Sequence, residues 1–333
     1  MPVGPMRNKR VTIIEVAEAC CCSKTTVACA LDERTAHKVA EKTRRKIFET
    51  VKRLGYLPNR SAQALRLRKN YTVGVMLPEP ANSFYGNIVL NLQRELAKSG
   101  YTALFVFWQT LDDAGTIRKA YDQLLCKGVD GIIAGDAPGV HFENSPVPIV
   151  YWKMTEKNDS FSSFPHMKEV YQELFSLLEA KGCRTYAVMA LDMNSGRSKI
   201  IREIMNEKGI PIQEKFMFSG IASPEQARKT MTSLLKHSKK LPDAVLANND
   251  YIALASMAAA LEHGIAVPEK MKFVGFDGIQ EGAYLYPSLT TFYVSPAEIA
   301  KKLIYLFLRR QKEPDVPFQT LSIKPELIVR NST

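Results

Sequence analysis

The sequence lacks any apolar run long enough to cross a membrane. A membrane-spanning helix needs about 18 or more consecutive apolar residues, and polar or charged residues interrupt every hydrophobic stretch of this chain before that length. The N-terminal MPVGPMRNKR carries basic residues, but no apolar signal core follows them. The sequence therefore predicts a cytoplasmic protein with no membrane partner.

Metal-ligand spacing is also absent. The six cysteines have no C-x-x-C spacing, and four of them lie within residues 20–29. The five histidines are scattered along the chain without the spacing of a metal site. We therefore expect reduced thiols, no metal and no cofactor.

Motifs of the common enzyme classes are missing as well. The chain contains no G-x-S-x-G elbow, P-loop, G-x-G-x-x-G fingerprint or H-E-x-x-H pair. The sequence therefore predicts a protein that is not an enzyme and has no catalytic residues.

The positive charge, in contrast, is abundant and concentrated in one region. Of the formal net charge of +11, residues 1–70 contribute +10, with 16 Lys and Arg against 6 Asp and Glu. A compact basic segment on a nearly neutral body is typical of a nucleic-acid-binding domain, because cations neutralise phosphates. A solvated basic surface or tail is the alternative, and helical patterning argues against it.

That patterning predicts a helix-turn-helix. Thr12 and Glu15 form a T-x-x-E capping box before a helix over 12–20. After a break at Cys21-Cys22, Ser23 is an N-cap for a second helix in SKTTVACALD, whose N-terminal side chains would meet base edges in the major groove.

A third helix is predicted near 41–54. Its apolar side chains Ile47, Phe48, Val51 and Leu54 are expected to point inward, and Gly55 supplies the C-terminal stop. Its cationic residues suit contacts with phosphates and are Lys42, Arg44, Arg45 and Lys46.

The segment NRSAQALRLRKN follows Pro58. Asn59 can cap a short helix that carries several cations, but so short a helix is marginal alone. It could be a DNA-binding hinge or a linker that only spaces two domains.

In residues 71–333, β-rich runs alternate with helical patterns. The predicted strands are TVGVML, TALFVF, DGIIA, PIVYW, TYAVMA, DAVLA and KFVGF. The predicted helices lie near 86–99, 114–127, 166–182, 197–208, 224–237, 250–263 and 296–311. This alternation predicts parallel sheets covered by helices on both faces.

Ligands of such sheets lie beyond the carboxyl ends of the strands. The polar and aromatic residues at these ends suit a polyhydroxylated ring and include Ser83, Phe84, Tyr85, Lys153, Asp192, Arg197, Asn248, Asn249, Asp250 and Asp277.

These motifs resemble the lactose/galactose-repressor (LacI/GalR) family. The resemblance runs from VTIIEVAEACCCSKTTVACALD and KTRRKIFETVKRLGYLPNRSAQALR through YTVGVMLPEPANSFYGNIV and PEKMKFVGFDG to SLTTFYVSPAEIAKKLIYLFL, nearly the whole chain. It implies an N-terminal all-α helix-turn-helix domain and an α/β periplasmic-binding-protein-like domain of two doubly wound lobes.

The resemblance also implies domain boundaries. The helix-turn-helix domain is expected over 1–57, a hinge helix or linker over 58–70 and the effector-binding domain over 71–333. Lobe one is expected over about 71–158 and 292–319, and lobe two over 159–291 and 320–333.

The function implied is that of a transcriptional repressor at the nucleoid. It would bind a pseudo-palindromic double-stranded DNA operator as a homodimer, under the control of a small-molecule effector such as a sugar or sugar derivative. No leucine heptads follow KPELIVRNST, which favours a dimer over a tetramer. The ligand could release the protein from DNA or strengthen its binding.

The helix pattern and the resemblance together select the DNA-binding residues. Leu65 corresponds to the family's leucine that wedges into the minor groove. The full set is Thr12, Ser23, Lys24, Thr25, Thr26, Cys29, Arg34, Arg44, Lys46, Asn59, Ala62, Leu65 and Arg66.

Three departures from the family stand in this region. Cys21 occupies a turn position where the family has glycine, and Ala40 replaces an N-cap serine. Ala28-Cys29 replaces a Ser-Arg pair, and cysteine cannot make the bidentate guanine contact of arginine. Base reading is therefore expected to depend more on Lys24 and Thr25, with Thr26 and Arg34 as further candidates.

The effector-binding residues selected in the same way are Ser83, Phe84, Tyr85, Trp152, Lys153, Arg197, Asn249, Asp250 and Asp277. Ser83 replaces the family's proline, and Lys153 stands where the family has an acidic residue. Lys153 could favour an anionic ligand group, or it could face solvent or pair with an aspartate. Trp152 could equally be a core residue, and Asp277 could cap a turn.

A periplasmic-type solute-binding protein without a regulatory role is the alternative function. The missing signal peptide and the basic N-terminal segment argue against it.

Overall fold

The structure, a computed structural model, describes residues 11–32, 35–57, 69–79, 83–108, 114–135, 142, 144–152, 158–194 and 196–333. The chain divides into two compact units, Met1–Asn70 and Tyr71–Thr333. These units are called the head and the body below.

Three α-helices build the head: α1 Ile13–Cys20, α2 Lys24–Leu31 and α3 Glu41–Leu54. A short 3₁₀ helix, Ala36–Lys38, lies between α2 and α3. The buried side chains of the head meet in one core of Val16, Ala17, Cys20, Val27, Ala30, Ile47 and Tyr56.

Both predicted N-caps of the head are confirmed. The Glu15 N–H donates to Thr12 Oγ1 at 3.4 Å, and the Thr12 N–H donates to Glu15 Oε2 at 2.6 Å. Ser23 Oγ accepts from the Thr26 N–H at 3.0 Å. These caps satisfy amides that the first turn of a helix leaves without partners, so they fix where α1 and α2 begin.

The prediction for the inner face of α3 was wrong at Phe48. This side chain is 51% exposed, and Thr50 is buried beside Ile47 instead. Residues three and four apart share a helix face, so 47, 50, 51 and 54 form the inner stripe. Phe48 lies about a quarter-turn away from it.

The body contains two six-stranded sheets among its described residues. The first sheet has the order β11-β5-β4-β3-β1-β2 and comprises β1 Thr72–Pro78, β2 Thr102–Trp108, β3 Gly131–Ala134, β4 Ile149–Tyr151, β5 Asp159–Ser162 and β11 Thr320–Ser322. The second has the order β12-β10-β9-β8-β6-β7 and comprises β6 Tyr186–Met189, β7 Met217–Phe218, β8 Ala244–Ala247, β9 Lys272–Asp277, β10 Thr290–Tyr293 and β12 Glu326–Ile328.

Apart from the antiparallel pair of β10 and β12, the pairings of described strands are parallel. The helices of the body are α4 Ser83–Lys98, α5 Ala114–Cys126, α6 Met167–Ala180, α7 Gly196–Glu207, α8 Pro224–His237, α9 Asp250–Glu262, α10 Glu281–Tyr284 and α11 Pro296–Lys312. Two 3₁₀ helices, Phe164–His166 and Glu214–Phe216, complete them. The predicted fold class is confirmed.

The strands were predicted where they are buried and apolar. All seven predicted runs form strands, because such runs fit parallel strands with both faces covered. The five strands that the prediction missed are β5, β7, β10, β11 and β12, which have two to four residues each and include sequences such as DSFS and TLS. Segments this short carry too little periodicity to be recognised.

The two lobes are defined here by the two sheets, and their limits differ from the predicted ones. β5 and β11 pair with each other and complete the first sheet, although both had been assigned to lobe two. β10 lies wholly in the second sheet. A strand belongs to the lobe whose sheet it pairs with. The position of β5 and β11 in the chain does not reveal which sheet they join.

No helix among the described residues has the length and apolarity that a membrane crossing requires.

Candidate functional site

The predicted DNA-reading residues of α2 lie at its exposed N-terminus. Lys24 and Thr25 are exposed, whereas the Thr26 hydroxyl is 2.8 Å from Ser23 Oγ and is held by that cap. Cys29 is half-buried, and its carbonyl accepts from Thr35 Oγ1 at 3.1 Å. Lys24 and Thr25 are therefore exposed side chains of α2 that take no part in its cap.

The phosphate-contact candidates are also exposed or half-exposed. Thr12 is exposed at the N-cap of α1, Lys46 is exposed on α3, and Arg44 is half-buried on α3. A helix N-terminus presents free N–H groups that favour anions. Arg34, Asn59, Ala62, Leu65 and Arg66 lie outside the described residues.

One cavity of the body, called the effector cavity below, has a volume of about 440 Å³ and is lined by both lobes. This volume is within the range of small-molecule sites. Its described lining residues are Pro78, Phe84, Tyr85, Trp152, Phe161, Ser162, Ser163, Phe164, Met167, Leu191, Asp192, Gly196, Arg197, Ser198, Asn248, Phe276, Asp277, Val294 and Ile299.

Lobe one supplies an aromatic wall to this cavity. Phe84 and Tyr85 come from the first turn of α4, and Trp152 follows β4. The three rings touch one another, with centroid separations of 5.4 Å for Phe84–Tyr85, 6.2 Å for Phe84–Trp152 and 6.0 Å for Tyr85–Trp152. Clustered rings of this kind provide a flat apolar surface that is fixed before a ligand arrives.

Lobe two supplies the charged groups of the described lining. The Arg197 guanidinium lies 3.9 Å from the centroid of the Phe276 ring. Its Nη2 donates to the Asn248 carbonyl oxygen at 2.6 Å and to Asn248 Oδ1 at 3.3 Å. Stacking and hydrogen bonding together fix Arg197 in one orientation, so its remaining donors are pre-positioned for a ligand oxygen.

Asp277 is the buried acid of the cavity. Its residue is 8% exposed, and among the described residues no group donates a hydrogen bond to its carboxylate. Burial raises the pKa of Asp277 to about 8, against the opposing effect of the Arg197 charge. Its φ is 112°, a conformation that non-glycine residues rarely adopt. Buried, strained and without a donor, Asp277 has the properties of a ligand-binding group.

Three residues predicted to bind the effector have other roles in the described structure. Ser83 Oγ donates to Glu281 Oε2 at 2.9 Å. Asn249 Oδ1 accepts from the Ile252 N–H at 2.9 Å and caps α9. None of the three, Ser83, Asn249 or Asp250, lines the cavity.

Asp250 is fully buried and holds the loop that carries Asp277. It accepts from Thr291 Oγ1 at 2.6 Å and from the Ile279 N–H at 2.8 Å. Burial raises the pKa of Asp250 to about 6, although these hydrogen bonds act in the opposite direction. Its role is to position the loop, since the carboxylate is saturated by protein donors.

The structure therefore brings together five of the nine predicted effector residues: Phe84, Tyr85, Trp152, Arg197 and Asp277. Lys153 lies outside the described residues. The lining residues that sequence reasoning missed include Phe161 to Phe164 and Val294, which belong to missed strands or follow them directly. Phe276 also lines the cavity. The sequence predicted it only as an apolar residue inside the KFVGF strand, which indicates a core position.

Comparison with known proteins gives a consistent result. Residues 175–333 match the family described as periplasmic binding protein-like domain. The HTH-type transcriptional repressor PurR of Actinobacillus pleuropneumoniae serotype 3 (strain JL03) is 26% identical over 334 residues, which cover 96% of this chain and 98% of that protein. PurR of Pasteurella multocida (strain Pm70) is 24% identical over the same shares.

Solved structures share the fold. The lac repressor dimer bound to operator and the anti-inducer ONPF has a TM-score of 0.82 at 22% identity, over 97% of this chain and 99% of that one. A LacI-family regulator from Lactobacillus casei with bound sucrose has a TM-score of 0.68 at 19% identity, over 79% of this chain and 99% of that one. With the motifs of the head and body, these likenesses support a regulator of the LacI/GalR family.

Proposed function

We propose that the protein is a sequence-specific DNA-binding transcriptional repressor whose operator affinity is set by a small carbohydrate bound in the body. The observation that carries this proposal is the joint presence of a capped, strongly basic helix-turn-helix and a cavity walled by both lobes of the body. The role requires no catalysis, and action on operators places the protein in the compartment of the chromosome.

DNA recognition would use α2 in the major groove. Lys24 and Thr25 are free at its N-terminus, where side chains approach base edges, and Arg44 and Lys46 on α3 would hold phosphates. The hinge residues Asn59, Ala62, Leu65 and Arg66 would contact DNA, with Leu65 entering the minor groove.

The effector cavity suits a ligand with one polar and one apolar face. Arg197 and Asp277 would bind hydroxyls from the lobe-two side, while Phe84, Tyr85 and Trp152 would stack on the ring from lobe one. A sugar ring has such faces, and a sucrose complex of a LacI-family regulator is among the structures with this fold. Lys153 would favour a ligand that carries an anionic group.

Ligand binding would control DNA binding through the angle between the lobes. The ligand touches both walls, so it stabilises the angle at which both sets of contacts form. Lobe one follows the hinge segment directly in the chain, and a change in its orientation would alter the spacing of two hinges in a dimer.

The homodimer would form through apolar surfaces that the body leaves exposed. Tyr284, Leu285 and Tyr286 are 77%, 48% and 91% exposed, and they form what is called the apolar patch below. Helix α9 beside it carries no charged residue from 251 to 261, and Tyr251 OH donates to Glu281 at 3.3 Å, which joins α9 to the base of the patch. An exposed apolar patch of this kind marks a protein interface, and a second copy would give two heads for two half-sites.

The proposal is tested first on DNA. Selection from a random duplex library with the full-length protein should yield a pseudo-palindromic site. On that site, Lys24→Ala should change which base is preferred, whereas Arg44→Ala should weaken all sequences alike and reduce the salt dependence by about one phosphate contact. Sugar binding with no DNA selected would indicate a solute-binding protein instead.

The effector is tested second. Thermal-shift screening against neutral and acidic sugars should find ligands whose effect disappears in Arg197→Ala and in Asp277→Asn. Ligands that bind equally well to both variants would contradict the assignment of the cavity.

A further inference from the structure

A second cavity of about 270 Å³ also borders Asp277 and Phe84. Its other described walls come from α4, from the loop after β9 and from the segment that joins β10 to α11. They are Asn87, Asn91, Gly278, Ile279, Gln280, Tyr293, Ser295, Pro296 and Ala297. Arg197, Tyr85 and Trp152 line the effector cavity and not this one. The two cavities therefore share one acid and one ring but differ in chemistry.

The second cavity contains polar groups that the described protein leaves without partners. The Asp277 carboxylate, the Asn87 side-chain amide and the Tyr293 hydroxyl make no hydrogen bond to any described residue. The Asn91 Nδ2 donates to the Asn87 carbonyl oxygen at 2.8 Å, which leaves the Asn91 amide oxygen free to accept. A buried carboxylate is normally hydrogen-bonded, whereas the exposed Asn87 amide can also bind water. The buried Asp277 carboxylate therefore predicts an occupant with hydroxyls, which Asn87 and Asn91 could also bind.

The walls of the cavity are held together without an occupant. Ser83 in the first turn of α4 donates to Glu281 at 2.9 Å, and Tyr251 OH donates to the other oxygen of Glu281 at 3.3 Å. Glu281 directly follows Gln280, a wall residue. This clasp joins lobe one to lobe two at one end of the cavity. A proline at position 83, the family's usual residue there, could not donate the hydrogen bond.

We propose that this second cavity binds a small uncharged polyhydroxyl compound, which braces α4 against the loop after β9. Hydroxyls would donate to Asp277 and to the Asn91 amide oxygen and would accept from the Asn87 amide. The described walls contain no cationic side chain, which disfavours an anion. The Arg197 charge already acts on Asp277 from the effector side, which disfavours a cation. The volume of about 270 Å³ lies at the small end of ligand sites, which favours a small compound.

This site goes beyond the proposed function, because apart from Asp277 and Phe84 its walls differ from those of the effector cavity. Its test uses the full-length protein and erythritol as the probe, with ligand-observed NMR as the measurement. The variants are Asn87→Leu and Asn91→Leu, which replace amides by apolar groups. Gln93→Leu is the matched control, since Gln93 is exposed on the same helix outside the cavity. Arg197→Ala reports on the effector cavity.

We expect erythritol to bind the wild type, Gln93→Leu and Arg197→Ala with equal affinity, and to bind Asn87→Leu and Asn91→Leu at least tenfold more weakly. Hydrogen exchange gives a second readout. Erythritol should slow exchange in α4 and in residues 278–281 of the wild type but not of Asn87→Leu. No binding to the wild type, or binding that is lost only in Arg197→Ala, would overturn the second site. The latter result would leave the effector cavity intact as a proposal.

Discussion

Asp277 combines two features that raise the free energy of the folded state, a buried carboxylate and a φ of 112°. Neither is required by the sheet, since an amide or a hydroxyl could end β9 equally well. Residues of this kind persist where function needs them. At the scale of single residues, the effector cavity should therefore be a place where stability can be gained by substitution.

We predict that Asp277→Asn stabilises the protein, and more so as pH rises. The pKa of Asp277 is raised from 3.8 to about 8 by burial. The penalty for its charge is thus absent below the unfolded pKa, grows above it and is complete above the folded pKa. Asparagine has nearly the same shape and tolerates positive φ. We expect a gain of about 1–3 kcal/mol at the alkaline end.

Thermal unfolding between about pH 5 and about pH 8 measures this effect. Asp122→Asn on α5 is the control, because its carboxylate is exposed and should leave the pH profile unchanged. A gain that does not depend on pH would show that charge burial is not the cause.

The turn of the head contains a second strained residue. Cys21 has φ 52° and ψ 44°, in the left-handed region, and is the C-cap of α1. Glycine adopts this conformation without the penalty of about 1–2 kcal/mol that a Cβ brings. We predict that Cys21→Gly stabilises the head by about 1 kcal/mol.

Hydrogen exchange of the α1 and α2 amides in the full-length protein measures this gain. Cys21→Ala is the matched control, since it removes the thiol but keeps the Cβ. If both variants gain equally, the thiol and not the backbone is responsible.

At the scale of elements, α3 is the one of the three described α-helices of the head whose N-terminus has no side-chain cap. Ala40 occupies the N-cap with extended backbone and offers no acceptor to the first turn. We predict that Ala40→Ser slows exchange throughout α3 by an amount equivalent to about 1 kcal/mol. Ala19→Ser provides the comparison, because the same change inside α1 should destabilise slightly. An equal response to both substitutions would argue against capping.

The elements also show how far the sequence predicts the fold. The bounds predicted near 41–54 and 224–237 match α3 and α8, since Gly55 marks the end of α3 and Ser223 caps the start of α8. The prediction for Phe48 was wrong because Ile47 and Phe48 are adjacent apolar residues on the helix, and of these two only Ile47 lies on the inner stripe. The short strands β5 and β11 depend on pairing with distant segments, which no local pattern specifies.

For the candidate site, the sequence predicts those ligand-binding residues that directly follow a long, apolar strand. This rule predicted Arg197, Asp277 and the aromatic residues of α4. Asn249 and Asp250 follow β8 equally closely, but a capping bond and a buried carboxylate network turn them away from the cavity. Such a choice between ligand and backbone partners is made by tertiary packing, so the sequence alone could not reveal it.

At the scale of the whole molecule, the apolar patch makes a prediction about assembly. We expect Tyr286→Asp to shift the protein from dimer to monomer, because a charge in a desolvated interface is costly. Sedimentation velocity measures the shift, and operator affinity should fall with it. Tyr305→Asp on α11 is the control, as Tyr305 is 53% exposed outside the patch. If Tyr286→Asp remains a dimer, the second copy binds elsewhere.

The interleaved strand order has a consequence for synthesis. Lobe one needs β11, and its Asp159 is bound by Arg309, Arg310 and the Gln319 N–H. Those partners leave the ribosome about 150 residues after Asp159 does. The nascent first lobe must therefore wait, with its sheet edge uncovered, while nearly all of lobe two is translated. Slow translation of that stretch should prolong exposure to chaperones and proteases, and the head, complete within the first 70 residues, would already be able to fold.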